Sequence, residues 1–191
     1  YNFRFYRPFQ VMRQALLDGM IGKPLSIRAQ VGQYLPDWRP GADYRQSVSA
    51  QRSLGGGVVS ELSHELDYMR WLMGEVDTVS AYLAHVSDLE IDVEDIAEIT
   101  LEFSSGAIGN VHMNMVQSPV TRSCQIIGTE GSITWDQACN QVRQYSADDQ
   151  VWRDISPARQ IDRNDSYVAE MQHFVECVNG NGIPEVGGEA G

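Results

Sequence analysis

"LGGGVVSELSHELDYMRW", Leu54–Trp71, places three glycines directly before a helix-like pattern. The reading of this stretch decides the fold class. A dinucleotide-binding loop needs G-x-G-x-x-G between a buried strand and a helix. Gly55 and Gly57 fill the first two glycine positions, but Ser60 stands at the third. The residues before the run, "QSVSAQRSL", are polar and do not read as a buried strand. The glycines are therefore expected to form a flexible entry to a helix. The N–H groups at that helix start would be free to receive an anion or a ligand oxygen.

The helix itself is expected to run from Val58 to Met73 and to end at Gly74. At 100° per residue, Val58, Val59, Leu62, Leu66, Met69, Leu72 and Met73 share one arc, the arc expected to pack on a sheet. Ser60, His64, Asp67 and Trp71 fall opposite. Glu61 lies three residues before His64 and Tyr68 four after it, both within side-chain reach. Two readings stay open for His64. It is a chance histidine on a solvated face, or an imidazole oriented by a carboxylate for acid–base work near neutral pH. The size of Trp71 argues that the face is covered, by another domain for instance.

Working outward, "RPFQVMRQALLDGMIGKP" reads as a helix with Pro8 in its first turn and Phe9, Met12 and Leu16 on one face. "LSIRAQVGQYL" alternates, with Leu25, Ile27, Ala29 and Val31 pointing one way, as in a half-buried strand. Residues 36–57 show no period. A loop of that length is usually functional or mobile. It carries Trp38, Arg39, Tyr44 and Arg45, suited to a polar ligand or to a packed surface excursion. Past Gly74 come six strand candidates, "TVSAYLAHV", "EDIAEITLEF", "AIGNVHMNMV", "SCQIIG", "SITWD" and "QVRQYS". Ser105-Gly106 and Glu130-Gly131 read as turns between strands. A last helix lies in "SYVAEMQHFVECVNGNG", with Val168, Met171, Val175 and Val178 in register and Gly180 as its stop. The tail "IPEVGGEAG" reads as loop. Helices early and late with consecutive strands between predict an α+β fold, an antiparallel or mixed sheet with helices on one face, within a single domain 1–191.

A formal charge of −12 over 191 residues argues against nucleic acid, which needs a basic face. No run of about 18 apolar residues exists to span a membrane. Cys124, Cys139 and Cys177 are odd in number and lack framework spacing, so reduced, packed thiols and a cytoplasmic setting are expected. His64, His85, His112 and His173 are not at ligand spacing and no C-x-x-C occurs, so no metal is expected. A G-x-S-x-G elbow is also missing, which speaks against nucleophilic hydrolysis. The start, "YNFRFYRPF", has neither an initiator Met nor an apolar h-region, and the chain is expected to be a piece of a longer one.

Taken together, "YNFRF", "ALLDGMIGKPLSIRAQVGQYLPDW", "GGGVVSELSHELDYMRWLMGEV" and "IIGTEGSITWD" resemble the C-terminal domain of the Gfo/Idh/MocA oxidoreductases, the family of glucose–fructose oxidoreductase and inositol dehydrogenase. The resemblance implies an open, mostly antiparallel mixed sheet, paired through its uncovered face into a homodimer or homotetramer. It implies an N-terminal Rossmann domain, absent here, that binds NAD or NADP. It further implies hydride transfer between the nicotinamide and a sugar, sugar-derivative or cyclitol carbon. His64 corresponds to the family's histidine near the reacting hydroxyl. The family's acid usually stands four residues before that histidine, where this chain has Ser60; here Glu61, three before, takes its place. Asn2, Arg4, Trp38, Arg39, Tyr44 and Asp67 are the expected substrate contacts, and Gly56 and Gly57 the expected contacts to the cofactor. The family's Glu-Lys-Pro motif is not in this chain, so the chain alone is expected to be inactive. The alternative is a non-catalytic sugar-binding or assembly module, with Met113 and Met115 at a subunit interface or in the core.

Overall fold

A computed structural model describes residues 1–156, 162 and 164–188. Its first helix, α1 (Arg7–Leu17), follows a short 3-10 turn at Asn2–Phe5 and buries Pro8, Phe9, Met12 and Ala15. Eight strands follow: β1 (Pro24–Gly32), β2 (Val76–Ala84), β3 (Ile96–Phe103), β4 (Ile108–Asn114), β5 (Thr121–Gly128), β6 (Gly131–Asp136), β7 (Gln141–Ser146) and β8 (Val151–Asp154). They form one sheet in the order β2-β3-β4-β1-β5-β6-β7-β8. Among the described residues only the β1–β4 pairing is parallel. The expected α+β architecture with an open, mostly antiparallel mixed sheet is what the chain adopts.

Alternation sets the two faces. Ile27, Ala29 and Val31 of β1 join Ala97, Ile99, Leu101, Val111, Met113, Cys124, Ile126, Ile133, Trp135 and Val142 under the helices. Met113 and Met115 are fully buried there, so both are core residues and neither is available to an interface. Leu25, placed with this set by its parity, is instead 45% exposed at the strand's start. The opposite face is open and mostly polar: Arg28 and Gln30 of β1 lie beside Asn110 and His112 of β4, which reach Thr100 and Glu98 of β3, while Ile108 and Ile127 flank Ser26 as exposed apolar side chains. The short edge strand β8 escapes the alternation pattern because all four of its residues are exposed.

The central helix is broken in two, α2 (Val58–Glu61) and α3 (His64–Met73). Leu62 leaves helical geometry at φ −109° and ψ 24°. The break rotates the second half, so the single arc expected for Val58–Met73 does not hold. Glu65, Asp67, Tyr68 and Met69 are buried, while Leu66, Leu72 and Met73 are only half-buried. The face carrying Trp71 is covered, by the chain itself: Trp71 donates from Nε1 to Glu185 at 2.7 Å, and Arg13 lies 4.5 Å over its ring. Residues 36–57 lack a period because they fold into successive 3-10 turns, at Leu35–Asp37, Tyr44–Gln46, Val48–Ala50 and Arg52–Leu54.

The last helix, α4 (Asp165–Val178), stands off the sheet and packs on the turn Asn2–Phe5. Its periodic residues Val168, Met171, Val175 and Val178 are exposed by 45, 62, 49 and 70%. Cys124 is buried, and burial pushes its thiol far above the ordinary range, which makes it inert. Cys139 is not the packed thiol expected of it, because it sits exposed in the turn between β6 and β7. Of the loop-like tail, residues 189–191 lie outside the described residues. No helix among the described residues is long and apolar enough to cross a membrane.

Candidate functional site

The chain opens with a 3-10 turn that lays Phe3 against the start of α3. The Phe3 and His64 rings stack at 4.9 Å and 16°, and Tyr1 meets His64 edge-on at 6.0 Å. Both Phe3 and His64 stand in the wall of a cavity of about 660 Å³. Its polar lining comes from Asn2, Gln33, Arg39, Arg122, Gln137, Asn140, Ser166 and Tyr167, with Trp38 and Trp135 as flat walls. Amide and guanidinium groups beside flat indole faces suit a ligand rich in hydroxyls.

His64 is partly buried, and its Nδ1 has no hydrogen-bond partner. Burial lowers its pKa below the ordinary histidine value, and the nearby Arg122 charge pushes the same way. Asp67 and Glu170 pull weakly in the opposite direction. The imidazole is therefore uncharged at neutral pH and able to accept a proton.

Arg122 is anchored from below. Its Nε lies 2.8 Å from Oε1 of Glu65, and Nη2 donates to Oε2 at 3.3 Å. Glu65 is fully buried, and burial raises its carboxyl pKa against the opposing pull of Arg122. The guanidinium lies over the Phe3 ring at 4.7 Å.

Of the residues picked out by sequence, His64, Asn2, Trp38 and Arg39 share this cavity. Asn2 spends its amide N–H on the Ser166 hydroxyl at 3.0 Å. Tyr44 lines a neighbouring cavity of about 280 Å³ with Trp38 and Arg39, and its hydroxyl accepts the Glu90 N–H. Arg4 and Asp67 are turned to each other in a buried ion pair at 2.6 Å and do not line the His64 cavity. Glu61 is half-buried, and its carboxylate makes no hydrogen bond or ion pair with any described residue, His64 included.

The glycine run is also already engaged. Gly56 N–H goes to the Gln51 carbonyl and Gly57 N–H to that of Ser49. Val58 N–H goes to the Glu94 carbonyl, and the Glu94 carboxylate sits 3.5 Å from the Val59 nitrogen. An acid at that helix start occupies the place an anion would take and repels a phosphate. The described residues therefore present no phosphate cradle at this helix start, and the N–H groups of Gly56 and Gly57 are spent on the chain's own carbonyls. No group of three or more His, Cys, Asp or Glu suited to a metal occurs among the described residues.

Sequence reading passed over Phe3, Glu65, Arg122, Trp135 and Asn140. For Glu65 a signal was present: it lies three after Leu62 and four before Met69, a charge in line with two core positions. Arg122 carried none, because only the pairing of β5 with β1 brings it under α3.

Residues 9–134 match the GFO/IDH/MocA C-terminal domain family. The myo-inositol 2-dehydrogenase of Thermotoga maritima is 30% identical over 210 residues, covering 100% of this chain and 56% of the relative. The scyllo-inositol 2-dehydrogenase (NAD(+)) of Bacillus subtilis is 30% identical over 191 residues, covering 96% of this chain and 52% of the relative. Among solved structures, aldose-aldose oxidoreductase from Caulobacter crescentus, complexed with glycerol, superimposes with a TM-score of 0.83 at 24% identity, over 100% of this chain and 56% of that one. The last likeness speaks to fold alone. This chain spans about half the length of the curated relatives it matches. The extent of the family match and the two inositol dehydrogenases lead to one conclusion: the chain belongs to the GFO/IDH/MocA family and carries its C-terminal domain.

Proposed function

We propose that this chain is the substrate-binding half of an NAD(P)-dependent oxidoreductase that acts on a CH–OH group of a sugar, sugar derivative or cyclitol. The observation that carries the reading is a partly buried imidazole, His64, its Nδ1 without a hydrogen-bond partner, in the wall of a cavity lined by amides, arginines and indoles. The names of the two inositol dehydrogenases, one of them NAD(+)-dependent, support the reaction class. The dinucleotide would be held by the part of the protein outside this chain and would supply the hydride acceptor. The chain's own task is the proton. As the carbonyl forms, the substrate O–H gives its proton to His64, while Gln33, Arg39 and Asn140 hold the remaining hydroxyls. Glu61 has the weaker claim to a relay, since it reaches no partner. We further propose that copies pair through the open polar face of the sheet, around Arg28, Asn110 and His112, which light scattering of the full-length protein tests.

In the full-length enzyme, His64→Ala is expected to lower turnover by about 10²- to 10⁴-fold, while cofactor still binds. Near-normal turnover would refute the role. A sugar-binding module without catalysis would keep its ligand affinity in the same variant and show no turnover in either form. This chain alone is expected to give no fluorescence change on titration with NADH; tight binding would show that the remainder of the protein is not needed.

A further inference from the structure

His64 and Glu65 are neighbours on α3, and they reach the same group by different routes. Glu65 holds Arg122 directly, through contacts of 2.8 and 3.3 Å. His64 stacks on Phe3 at 4.9 Å, and the same Phe3 ring carries the Arg122 guanidinium at 4.7 Å. The path from α3 to β5, through the N-terminal turn and back to α3, is closed. We propose that Arg122 is a positioning residue for His64: anchored by Glu65, it clamps the Phe3 ring against the imidazole and sets a fixed positive charge beside it. The inference rests on the reading of His64 as the proton acceptor.

Three features support it. An ion pair with one partner fully buried is costly to desolvate and is often no more stable than apolar side chains of similar size, so this pair fits a part in placement rather than in stability. A guanidinium on an aromatic face has a defined plane and a fixed charge, which an ammonium would not reproduce. The charged side chains facing His64 are Arg122 from β5, Asp67 on α3 and Glu170 on α4. After burial itself, Arg122 is the largest influence holding the imidazole below its ordinary pKa. Removing that cation must raise the His64 pKa, so more of the imidazole is protonated and unable to accept a proton at a given pH.

The test uses the full-length protein with 13C-labelled histidines, the His64 signal being assigned by its loss in His64→Ala. Arg122→Met alone would leave the Glu65 carboxyl buried without its partner, so the decisive variant is Arg122→Met with Glu65→Leu. The His64 titration midpoint is expected to rise by roughly one pH unit. The acid limb of kcat/KM should move up with it. A midpoint unchanged in a folded double variant overturns the proposal. If the midpoint moves but the acid limb does not, the coupling stands and His64 is not the proton acceptor. Phe3→Leu leaves the Glu65–Arg122 pair intact and tests the contact itself. It is expected to lower kcat roughly tenfold to a hundredfold with KM within about twofold. An unchanged kcat in that variant overturns the clamp. Arg122→Lys is expected to keep the midpoint near its original place and still lose rate, since it restores the charge without the planar stack.

Discussion

Arg4 sends Nε and Nη2 to the carboxylate of Asp67 and Nη1 to the carbonyl of Glu185, so one guanidinium ties the N-terminal turn, α3 and the tail. Asp67→Ala would leave that guanidinium buried without its counter-charge. The expected loss is about 3–5 kcal/mol of unfolding free energy by urea titration. Replacing the pair together, Arg4→Met with Asp67→Leu, should recover most of it. Both residues were legible in the sequence as polar and close to the site, but their service to each other was not. The sequence holds no record of which charges meet across 63 positions. His64 was legible for a different reason: a helix start, a glycine run and flanking acids are all local. Its neutrality was not, because burial and Arg122 are tertiary facts.

At the level of elements, the glycine run acts as a geometric part. Gly57 has φ +123°, and a Cβ there would lie 2.3 Å from the Glu94 carboxylate. A Cβ on Gly56 would lie 2.1 Å from the Val48 carbonyl oxygen. Gly57→Ala is therefore expected to cost about 1–3 kcal/mol, mostly as backbone strain, and thermal unfolding would read it. The turn after β2 depends on Asp95, which accepts from the N–H groups of Val86 and Ser87 and from the Ser87 hydroxyl. Burial alone would raise its pKa, yet those hydrogen bonds together hold it below the ordinary aspartate value. Its stabilising contribution is thus present above the unfolded-state pKa and fades as pH falls through the lower folded value. Asp95→Asn should lower stability at neutral pH and flatten its pH dependence in that acid range. A variant that unfolds along the wild-type acid curve would contradict this. The strands β1 to β7 were legible because alternation is local. The break at Leu62 was not, since Val58–Met73 satisfies a helical period throughout. β8 was also missed, because its four residues, Val151–Asp154, are too few to show an alternation of apolar and polar side chains.

On the scale of the whole molecule, α4 leaves Met171, Phe174 and Val178 exposed by 62, 61 and 70%. A continuous apolar stripe of this kind binds hydrophobic dyes and promotes association. This chain is therefore expected to enhance ANS fluorescence, and Met171→Lys with Phe174→Glu to abolish most of that signal. A dye response unchanged in that variant would place the apolar surface elsewhere. The sheet carries a different consequence. β2, β3 and β4 are consecutive neighbours, as are β5, β6, β7 and β8, and each set can assemble from contacts close in sequence. The only strand between the sets is β1, which is synthesised first and pairs Ser26 with Ile108 on one side and Ile127 on the other. The two meanders have no shared edge without it. Joining them requires closing two long loops, which slows folding more than it weakens the final state. Strand β1 thus waits with one edge open until β4 has been made and with the other open until β5 follows, and only then can the sheet become one cooperative unit.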